Sequence, residues 1–264
     1  MTDTIHANGI DIAYRLDGPQ AAPLVTLSNS LASTMAMWDA QVPALTPDWR
    51  VLRYDTRGHG GTSAPPAPYR METLAADLIG LWDALGVARS AFVGLSLGGM
   101  IGQAIGIDHA HRVSALVLCD TLARWPQGAG TIWDGRIRVV QTQGVKALVD
   151  GTIERWFTAD FRASGSPEIA RIGAMIGATP APGYAGCSYA IKGIDFLDRL
   201  KAISVPTLVM VGADDPATPP SAAREIQQKI PGAKLVVIEN AAHLANVEQP
   251  KAFNRALRDF LDAL

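Results

Sequence analysis

The chain has 264 residues, of which 48% are hydrophobic and 18% are charged, so it can supply the core of a large domain and disorder is not expected. Its formal net charge of −2 offers no basic field to nucleic acid or an anionic membrane. No apolar run is long enough for a membrane helix, the N-terminus lacks signal-peptide features, and the two cysteines form no disulfide framework. We therefore predict a cytoplasmic protein that binds neither nucleic acid nor membrane. No sequence feature specifies an oligomeric state.

Strands alternate with helices along most of the chain. Residues 5–15 predict a β-hairpin, because Asn8-Gly9 favours a type I′ turn between alternating apolar positions. Further strands are predicted at 23–27, 51–54, 90–93, 113–119, 205–211 and 234–238, and helices at 71–85, 98–106, 221–229 and 249–264. This alternation predicts an α/β fold, with a mostly parallel twisted sheet and helices on both faces.

The alternation stops between about residues 122 and 200. This segment is richer in Trp, Arg and Gly, has helical patterns and contains no convincing strand. We therefore predict a single domain over residues 1–264, with a mostly helical cap inserted at about 122–200.

One predicted strand leads into the motif Gly-Leu-Ser-Leu-Gly-Gly at residues 94–99. Between a strand and a helix, Gly-x-Ser-x-Gly is typical of a nucleophile elbow, a strained turn that presents its serine. Gly94 and Gly98 remove side chains that would collide across the turn, and Gly99 lets the helix approach the sheet. Ser96 would then lie at a helix N-terminus, which favours negative charge. Because the motif alone also fits a packing turn, its partners decide the interpretation.

Two later loops carry the partners that a serine nucleophile needs. Asp214 and Asp215 follow one predicted strand, and His243 follows the next. The order Ser96, Asp215, His243 is similar to the catalytic triad of α/β-hydrolases, in which histidine takes the serine proton and the acid orients the imidazole. The pattern Gly-x-x-Asp of those enzymes favours Asp215 over Asp214, and Asp120 is a more distant alternative. The sequence thus predicts a hydrolase with the α/β-hydrolase fold.

An acyl-transfer site also needs two backbone N–H groups directed at the developing oxyanion. We expect one from Leu97, directly after the nucleophile, and the other from Leu31 or its neighbour Ser30, in the loop after the third predicted strand. Many hydrolases have His-Gly in this loop, whereas the chain has Asn29-Ser30, and backbone donors tolerate that change. We interpret His59, in an Arg-Gly-His-Gly turn, as a loop-shaping residue.

With these motifs the chain resembles the 3-oxoadipate enol-lactonases, α/β-hydrolases of bacterial aromatic-ring catabolism. The motifs that carry the resemblance lie at residues 29–31 with 37–38, 94–100, 133–137, 214–220 and 241–250. The resemblance implies a small-molecule lactone substrate: water opens 3-oxoadipate enol-lactone to 3-oxoadipate in the β-ketoadipate pathway, with no metal or organic cofactor. Carboxylesterases and carbon–carbon bond hydrolases of ring-cleavage products share the triad and are alternatives, and a ligand-sensing receptor is a remote one.

The lactone carries a carboxylate, which an arginine can bind bidentately. The arginines that the predicted cap offers as candidates are Arg124, Arg136, Arg138, Arg155 and Arg162. Two of them, Arg136 and Arg138, lie close to Trp133, and two residues apart they do not share one helix face. We hypothesise that one of this pair reaches the carboxylate while Trp133 forms a wall of the pocket. Ser30 and Trp38 are further candidates for substrate binding.

Overall fold

The computed structural model describes residues 2–126, 128 and 130–264 of the chain. Eight strands form one sheet. They are β1 (Asp3–Ala7), β2 (Ile10–Asp17), β3 (Leu24–Ser28), β4 (Arg50–Tyr54), β5 (Ser90–Leu95), β6 (Val113–Cys119), β7 (Thr207–Gly212) and β8 (Lys234–Ile238). Their order across the sheet is β1-β2-β4-β3-β5-β6-β7-β8. The pairs β1–β2 and β2–β4 are antiparallel, and every other neighbouring pair is parallel, so the predicted mostly parallel sheet is confirmed.

Helices fill the connections between the strands. They are α1 (Val42–Leu45), α2 (Met71–Ala84), α3 (Leu97–Asp108), α4 (Gly130–Gln143), α5 (Val149–Trp156), α6 (Ala159–Ala163), α7 (Pro167–Gly177), α8 (Ala181–Lys192), α9 (Pro220–Lys229), α10 (Ala245–Glu248) and α11 (Pro250–Leu261). None of the helices in the described part of the chain combines the length and apolarity that a membrane crossing requires.

The local signals in the sequence account for several element boundaries. Asn8 and Gly9 have φ angles of 47° and 74°, as a type I′ turn requires, and they connect β1 to β2 with Ala7 opposite Ile10. The helix predicted over 71–85 is α2, and Gly86 follows it with a φ of 68°. The hairpin and the helix end are therefore confirmed, because both depend on backbone conformations that glycine and asparagine favour.

The centre of the sheet is covered on both faces. Successive side chains of a strand point to opposite faces, and every residue of β5 and β7 is buried. Helix α3 packs against β5 and β6, and α9 packs against β7. An apolar sheet buried on both faces needs helices on either side, which is the layered α/β arrangement that the alternation predicted.

The segment between β6 and β7 contains the five helices α4 to α8. Its two ends meet, since Arg124 forms an isolated bridge with Asp195 and Phe196 N donates to Ala123 O at 2.7 Å. In its described residues the segment adds no strand to the sheet. We call residues 122–200 the cap, and we keep as a proposal the interpretation of the chain as one domain with this insertion.

Candidate active site

The turn between β5 and α3 has the geometry of a nucleophile elbow. Ser96 has φ 56° and ψ −111°, a strained conformation for a residue with a side chain. A Cβ atom on Gly94 would lie 2.2 Å from Gly98 O, and one on Gly98 would lie 2.2 Å from Ser28 O. Only glycine fits these two positions without moving backbone, which explains the spacing of the motif. Ser96 N donates to Cys119 O at 2.9 Å and so fastens the turn to β6.

The carboxyl ends of β7 and β8 bring an acid and a histidine together. Asp215 Oδ2 lies 2.8 Å from His243 Nδ1, and both residues are 3% exposed. The other oxygen, Asp215 Oδ1, accepts from Ala217 N at 2.7 Å and from Thr218 N at 3.0 Å, while the Thr218 hydroxyl donates to Oδ2. This pairing leaves the second ring nitrogen of His243, Nε2, available to a third group, as a triad requires.

The two alternative acids lie elsewhere. Asp214 is exposed. Asp120 is fully buried after β6, but its Oδ1 accepts from Gly212 N at 2.8 Å, and within the described residues its Oδ2 has no partner. Asp215 is therefore the one of the three carboxyls that contacts His243.

The buried carboxyls Asp215 and Asp120 have opposite pKa shifts. Burial alone would raise the pKa of Asp215, but the charge of His243 and the hydrogen bonds from His243 and Thr218 outweigh it and lower that pKa. Burial raises the pKa of Asp120 well above its usual value, and the neighbouring charge of Asp215 raises it further. The structure thus favours the ionised form of Asp215 and disfavours the ionised form of Asp120.

Two backbone N–H groups near Ser96 are free to meet an oxyanion. Leu97 N and Leu31 N have no hydrogen-bond acceptor among the described residues. The alternative donor, Ser30 N, is already directed at Met37 Sδ at 3.3 Å. The geometry therefore selects Leu31 over Ser30 as the companion of Leu97, because oxyanion donors must not be engaged elsewhere.

A cavity of about 920 Å³ lies between the sheet and the cap. We call its sheet side the core wall, which includes Ser30, Leu31, Ser96, Thr218 and His243. We call its other side the cap wall, which includes Trp133, Arg136, Thr152, Arg155, Trp156 and Tyr184. The cavity thus holds the candidate nucleophile and base on one side, and cations and aromatic rings on the other.

The cap wall carries two arginines that lack a counter-ion. Neither Arg136 nor Arg155 has a carboxylate within ion-pair distance in the part of the chain that the structure describes. The Arg136 guanidinium lies over the Trp133 ring at 4.7 Å from its centroid, and Arg155 Nη2 donates to Thr152 Oγ1 at 3.2 Å. Burial lowers the pKa of Arg155, and the charge of Arg136 lowers it further. An anion placed between these two half-buried cations would relieve their mutual repulsion.

The structure brings some of the predicted binding residues to the cavity and not others. Trp133, Arg136 and Ser30 line it, and both the Trp133 indole N–H and the Ser30 hydroxyl lack a partner among the described residues. Of the pair from which one arginine was expected, Arg138 is not at the cavity, because it lies on the exposed face of α4, and Arg136 stays the candidate. The prediction for Trp38 is wrong. Its ring is fully buried against Phe253, at 6.2 Å between centroids, and belongs to the core.

The remaining cap arginines have other surroundings. Arg124 reaches the rim of the cavity but is paired with Asp195 and Asp198, and Arg162 is exposed. Arg155 was one of five candidates without a distinguishing signal. On α5, Thr152 precedes Arg155 by three residues and Trp156 by four. Residues three or four apart lie on neighbouring positions of a helix surface, so a helical plot of this segment places Thr152 beside both of them.

One buried carboxylate ties the cap to the loop that carries His243. Glu248 Oε2 accepts from Ala242 N at 2.9 Å, and Glu248 Oε1 accepts from Thr158 N at 3.1 Å and from the Thr158 hydroxyl. Beside it, Leu244 N donates to Trp156 O at 3.1 Å. The loop of the candidate base is therefore fastened on both sides of His243 to the cap segment at the junction of α5 and α6.

Within the described residues, no group of three or more His, Cys, Asp or Glu side chains is arranged to hold a metal ion. The polar residues that line the cavity include the guanidiniums of Arg136 and Arg155, which are donors suited to an organic anion.

Comparison with known proteins identifies the class to which this fold and site belong. A family model described as alpha/beta hydrolase fold matches residues 23–250. The chain belongs to this family, so the predicted fold and the prediction of a hydrolase are confirmed.

Within the family, the chain is similar to particular enzymes. It is 36% identical to 3-oxoadipate enol-lactonase 2 of Acinetobacter baylyi, over 97% of this chain and 94% of that protein. The structure is similar to the crystal structure of the enol-lactonase from Burkholderia xenovorans LB400, with a TM-score of 0.95. The two sequences are 41% identical, and the match covers 98% of this chain and 100% of that enol-lactonase chain. The chain is also 33% identical to a putative carbamate hydrolase, RutD, of Klebsiella pneumoniae, over 92% of each chain. The predicted resemblance to the enol-lactonases is confirmed.

Proposed function

We propose that the protein is a serine hydrolase that opens the ring of 3-oxoadipate enol-lactone with water. The observation that carries the proposal is the pair Arg136 and Arg155, which faces the candidate triad across one cavity without a carboxylate partner among the described residues. A hydrolase for neutral esters has no need of two unpaired cations in its pocket, whereas a lactone with a carboxylate arm does.

The proposed reaction begins at the core wall. Ser96 Oγ attacks the lactone carbonyl carbon while His243 Nε2 takes the hydroxyl proton. Asp215, bonded to His243 Nδ1, holds the ring in the tautomer that accepts at Nε2 and stabilises the imidazolium. The N–H groups of Leu31 and Leu97 bind the oxyanion of the tetrahedral intermediate.

Collapse of this intermediate breaks the bond between the acyl carbon and the ring oxygen. The leaving group is an enolate that stays tethered to the acyl-enzyme. It takes the proton from the imidazolium of His243, which leaves His243 neutral again, and tautomerisation of the resulting enol to the ketone disfavours ring closure. A water molecule, deprotonated by His243, then attacks the acyl carbon and releases Ser96 together with the diacid product. An enolate is a better leaving group than an alkoxide, so we expect ring opening to need less acid assistance than the cleavage of an alkyl ester.

The cap wall supports the choice of substrate. The carboxylate arm would bind to the guanidiniums of Arg136 and Arg155, in place of the counter-ion that the described residues do not provide. Trp133 and Ser30 also line the cavity, and the indole N–H of one and the hydroxyl of the other are buried donors without a partner there. We propose that they bind the remaining oxygens of the substrate, because a buried donor left unpaired costs free energy.

A carbamate hydrolase is the second candidate, and the similarity to the RutD protein of Klebsiella pneumoniae favours it. Carboxylesterase and carbon–carbon bond hydrolase activities are also compatible with the same triad. We further propose that the enzyme acts in the cytoplasm, in the β-ketoadipate pathway of a bacterium. The resemblance supports the pathway, and two free, buried cysteines fit a reducing compartment.

The test compares kcat/KM for 3-oxoadipate enol-lactone, p-nitrophenyl acetate and a small carbamate. We expect the lactone to be preferred by at least about 100-fold, a factor that a specific buried ion pair can supply. Ser96→Ala should abolish hydrolysis of every substrate. The matched control Ser114→Ala, on β6 away from the cavity, should keep wild-type rates. Equal or better cleavage of the ester or the carbamate would overturn the lactone assignment, and an active Ser96→Ala variant would overturn the nucleophile.

A further inference from the structure

The loop that carries the Leu31 N–H is irregular and depends on side chains for its shape. We call residues 29–34 the oxyanion loop. Its residue Ala32 has a φ of 59°, which L-residues adopt only when their surroundings enforce it. No strand or helix pairing holds this segment. One turn hydrogen bond, from Ser33 N to Ser30 O at 3.3 Å, closes it, and further support for its backbone comes from other parts of the fold.

Three N–H groups of the oxyanion loop have acceptors in other parts of the fold: Thr34 N is directed at Met175 Sδ at 3.1 Å, and the other two flank Leu31. Ser30 N is directed at Met37 Sδ at 3.3 Å, and Ala32 N donates to His59 Nε2 at 2.9 Å. Each peptide group is a rigid plane. Fixing the peptide planes before and after the one that contains Leu31 N therefore restricts the rotation of this middle plane. Its N–H, free of acceptors within the described residues, is left to face the cavity.

His59 is built to accept one hydrogen bond in one orientation. The ring is fully buried, and His59 Nδ1 lies 3.1 Å from Arg57 O. Because a carbonyl accepts and Ala32 N–H donates, Nδ1 carries the proton and Nε2 is the acceptor. Burial lowers the pKa of His59 to about 4. At neutral pH no second proton competes with Ala32 for Nε2.

The turn that carries His59 cannot move away from the oxyanion loop, because the cap packs against its other side. A Cβ on Gly58 would lie 2.3 Å from the Cα of Gly183, at the start of α8. Gly58 N donates to Ser63 O and His59 N donates to Thr56 O, each at 2.9 Å. The ring is thus clamped between the cap and the loop that it supports.

We propose that His59 is a positioning residue of the oxyanion hole: by accepting from Ala32 N, it directs the neighbouring Leu31 N–H at the carbonyl oxygen under attack. His59 does not line the cavity, so it exchanges no proton with the substrate and acts only through the oxyanion loop. The inference rests on the proposed attack by Ser96, but it does not depend on the lactone as substrate. It predicts a loss of transition-state stabilisation with little change in ground-state binding.

The experiment compares His59→Leu, which removes the acceptor, with His59→Gln, whose amide oxygen restores one. The substrate is p-nitrophenyl acetate, so that the result is independent of the lactone assignment. A phenylboronic acid serves as the inhibitor, because its adduct with the serine places an oxygen in the oxyanion hole. We expect His59→Leu to lower both kcat and boronic acid affinity by about 10- to 100-fold. This decrease is no larger than the roughly 100- to 1000-fold decrease in kcat that follows the removal of one oxyanion donor. KM should change less than about twofold, and His59→Gln should recover most of both losses.

The outcomes separate this inference from the proposed function. If Ser96→Ala is inactive while a folded His59→Leu keeps wild-type kcat and boronic acid affinity, the positioning role is wrong and the nucleophile stands. If Ser96→Ala is active, the proposed function itself fails. Should His59→Leu not fold, His59→Asn replaces it, since its shorter amide does not reach Ala32 N. Equal kcat for His59→Gln and His59→Asn would then overturn the inference, and a higher kcat for His59→Gln at equal KM would support it.

Discussion

The core wall and the cap wall of the cavity differ in how their polar groups are partnered. Behind the core wall, Asp215 receives hydrogen bonds from His243, Ala217 and Thr218 before any substrate is present. On the cap wall, Arg136 and Arg155 have no carboxylate partner within the described residues, and Trp133 N–H has none of any kind there. The acid–base pair is therefore oriented without a substrate, whereas the two guanidiniums of the cap wall have no counter-ion among the described residues.

This difference matches the separate demands of chemistry and recognition. Transition-state stabilisation requires dipoles and acids that are already oriented, because reorganisation during the reaction would raise the barrier. Recognition of a charged substrate requires the opposite, a cation whose partner arrives with the ligand. We therefore assign hydrolysis to the core wall and choice of substrate to the cap wall.

The largest effect should come from the core wall. Asp215→Asn keeps the shape of the side chain but removes the charge that holds His243 in its accepting tautomer, so we expect kcat to fall by about 10³- to 10⁴-fold on every substrate. The control is Asp214→Asn, an exposed neighbour that should keep its activity. Steady-state kinetics with lactone and ester measure both. If Asp215→Asn kept the wild-type kcat and Asp120→Asn lowered it instead, the acid that orients His243 would be Asp120, after β6, and not Asp215.

A smaller effect should follow from loosening the contact between the two walls. In Glu248→Gln, one of the two oxygens that accept from Ala242 and Thr158 becomes an NH₂ donor, so a buried backbone N–H loses its acceptor. We expect the free energy of unfolding to fall by about 1–3 kcal/mol, measured by urea denaturation. Glu239→Gln, exposed after β8, is the matched control. Unchanged stability in Glu248→Gln would show that this clamp contributes nothing.

The smallest effect concerns Asp120, the buried carboxyl next to the triad, and its size depends on pH. The pKa of Asp120 is raised in the folded protein, so unfolding releases its proton and stability falls as pH rises above its usual value of about 3.9. Asp120→Asn does not titrate and should raise Tm at pH 7, with a gain that shrinks toward pH 4. Asp215 has a lowered pKa, so its contribution is present at neutral pH and is lost as pH falls. Asp215→Asn should therefore lower Tm at pH 7. Calorimetry of both variants checks the opposite signs.

Local sequence signals predicted the core wall well. The glycines around Ser96 and the pair Asn8-Gly9 specify backbone conformations that few other residues adopt, and these conformations are present. The order of acid and histidine after successive strands placed Asp215 beside His243, because parallel strands end at one edge of the sheet.

The cap wall was less predictable, since the face that a cap helix turns to the cavity is set by tertiary packing. Arg136 and Arg138 carry the same local signal, yet only Arg136 reaches the cavity. Arg155 lies on another helix, and Trp38 packs in the core. The support of Ala32 by His59 joins residues 27 positions apart, which no local pattern encodes. The interpretation of His59 as a loop-shaping residue agrees with this contact but did not specify Ala32 as its partner.

The most direct test of the division between the two walls is the Arg136→Met/Arg155→Met double variant, with the exposed Arg138→Met as control. The measurement is the ratio of kcat/KM for the enol-lactone to kcat/KM for p-nitrophenyl acetate. We predict that this ratio falls by about 100-fold, the loss of two charged contacts worth roughly 1.4 kcal/mol each, while ester hydrolysis is unchanged. A ratio equal to that of the wild type, or an equal loss on both substrates, would contradict the assignment of substrate choice to the cap wall.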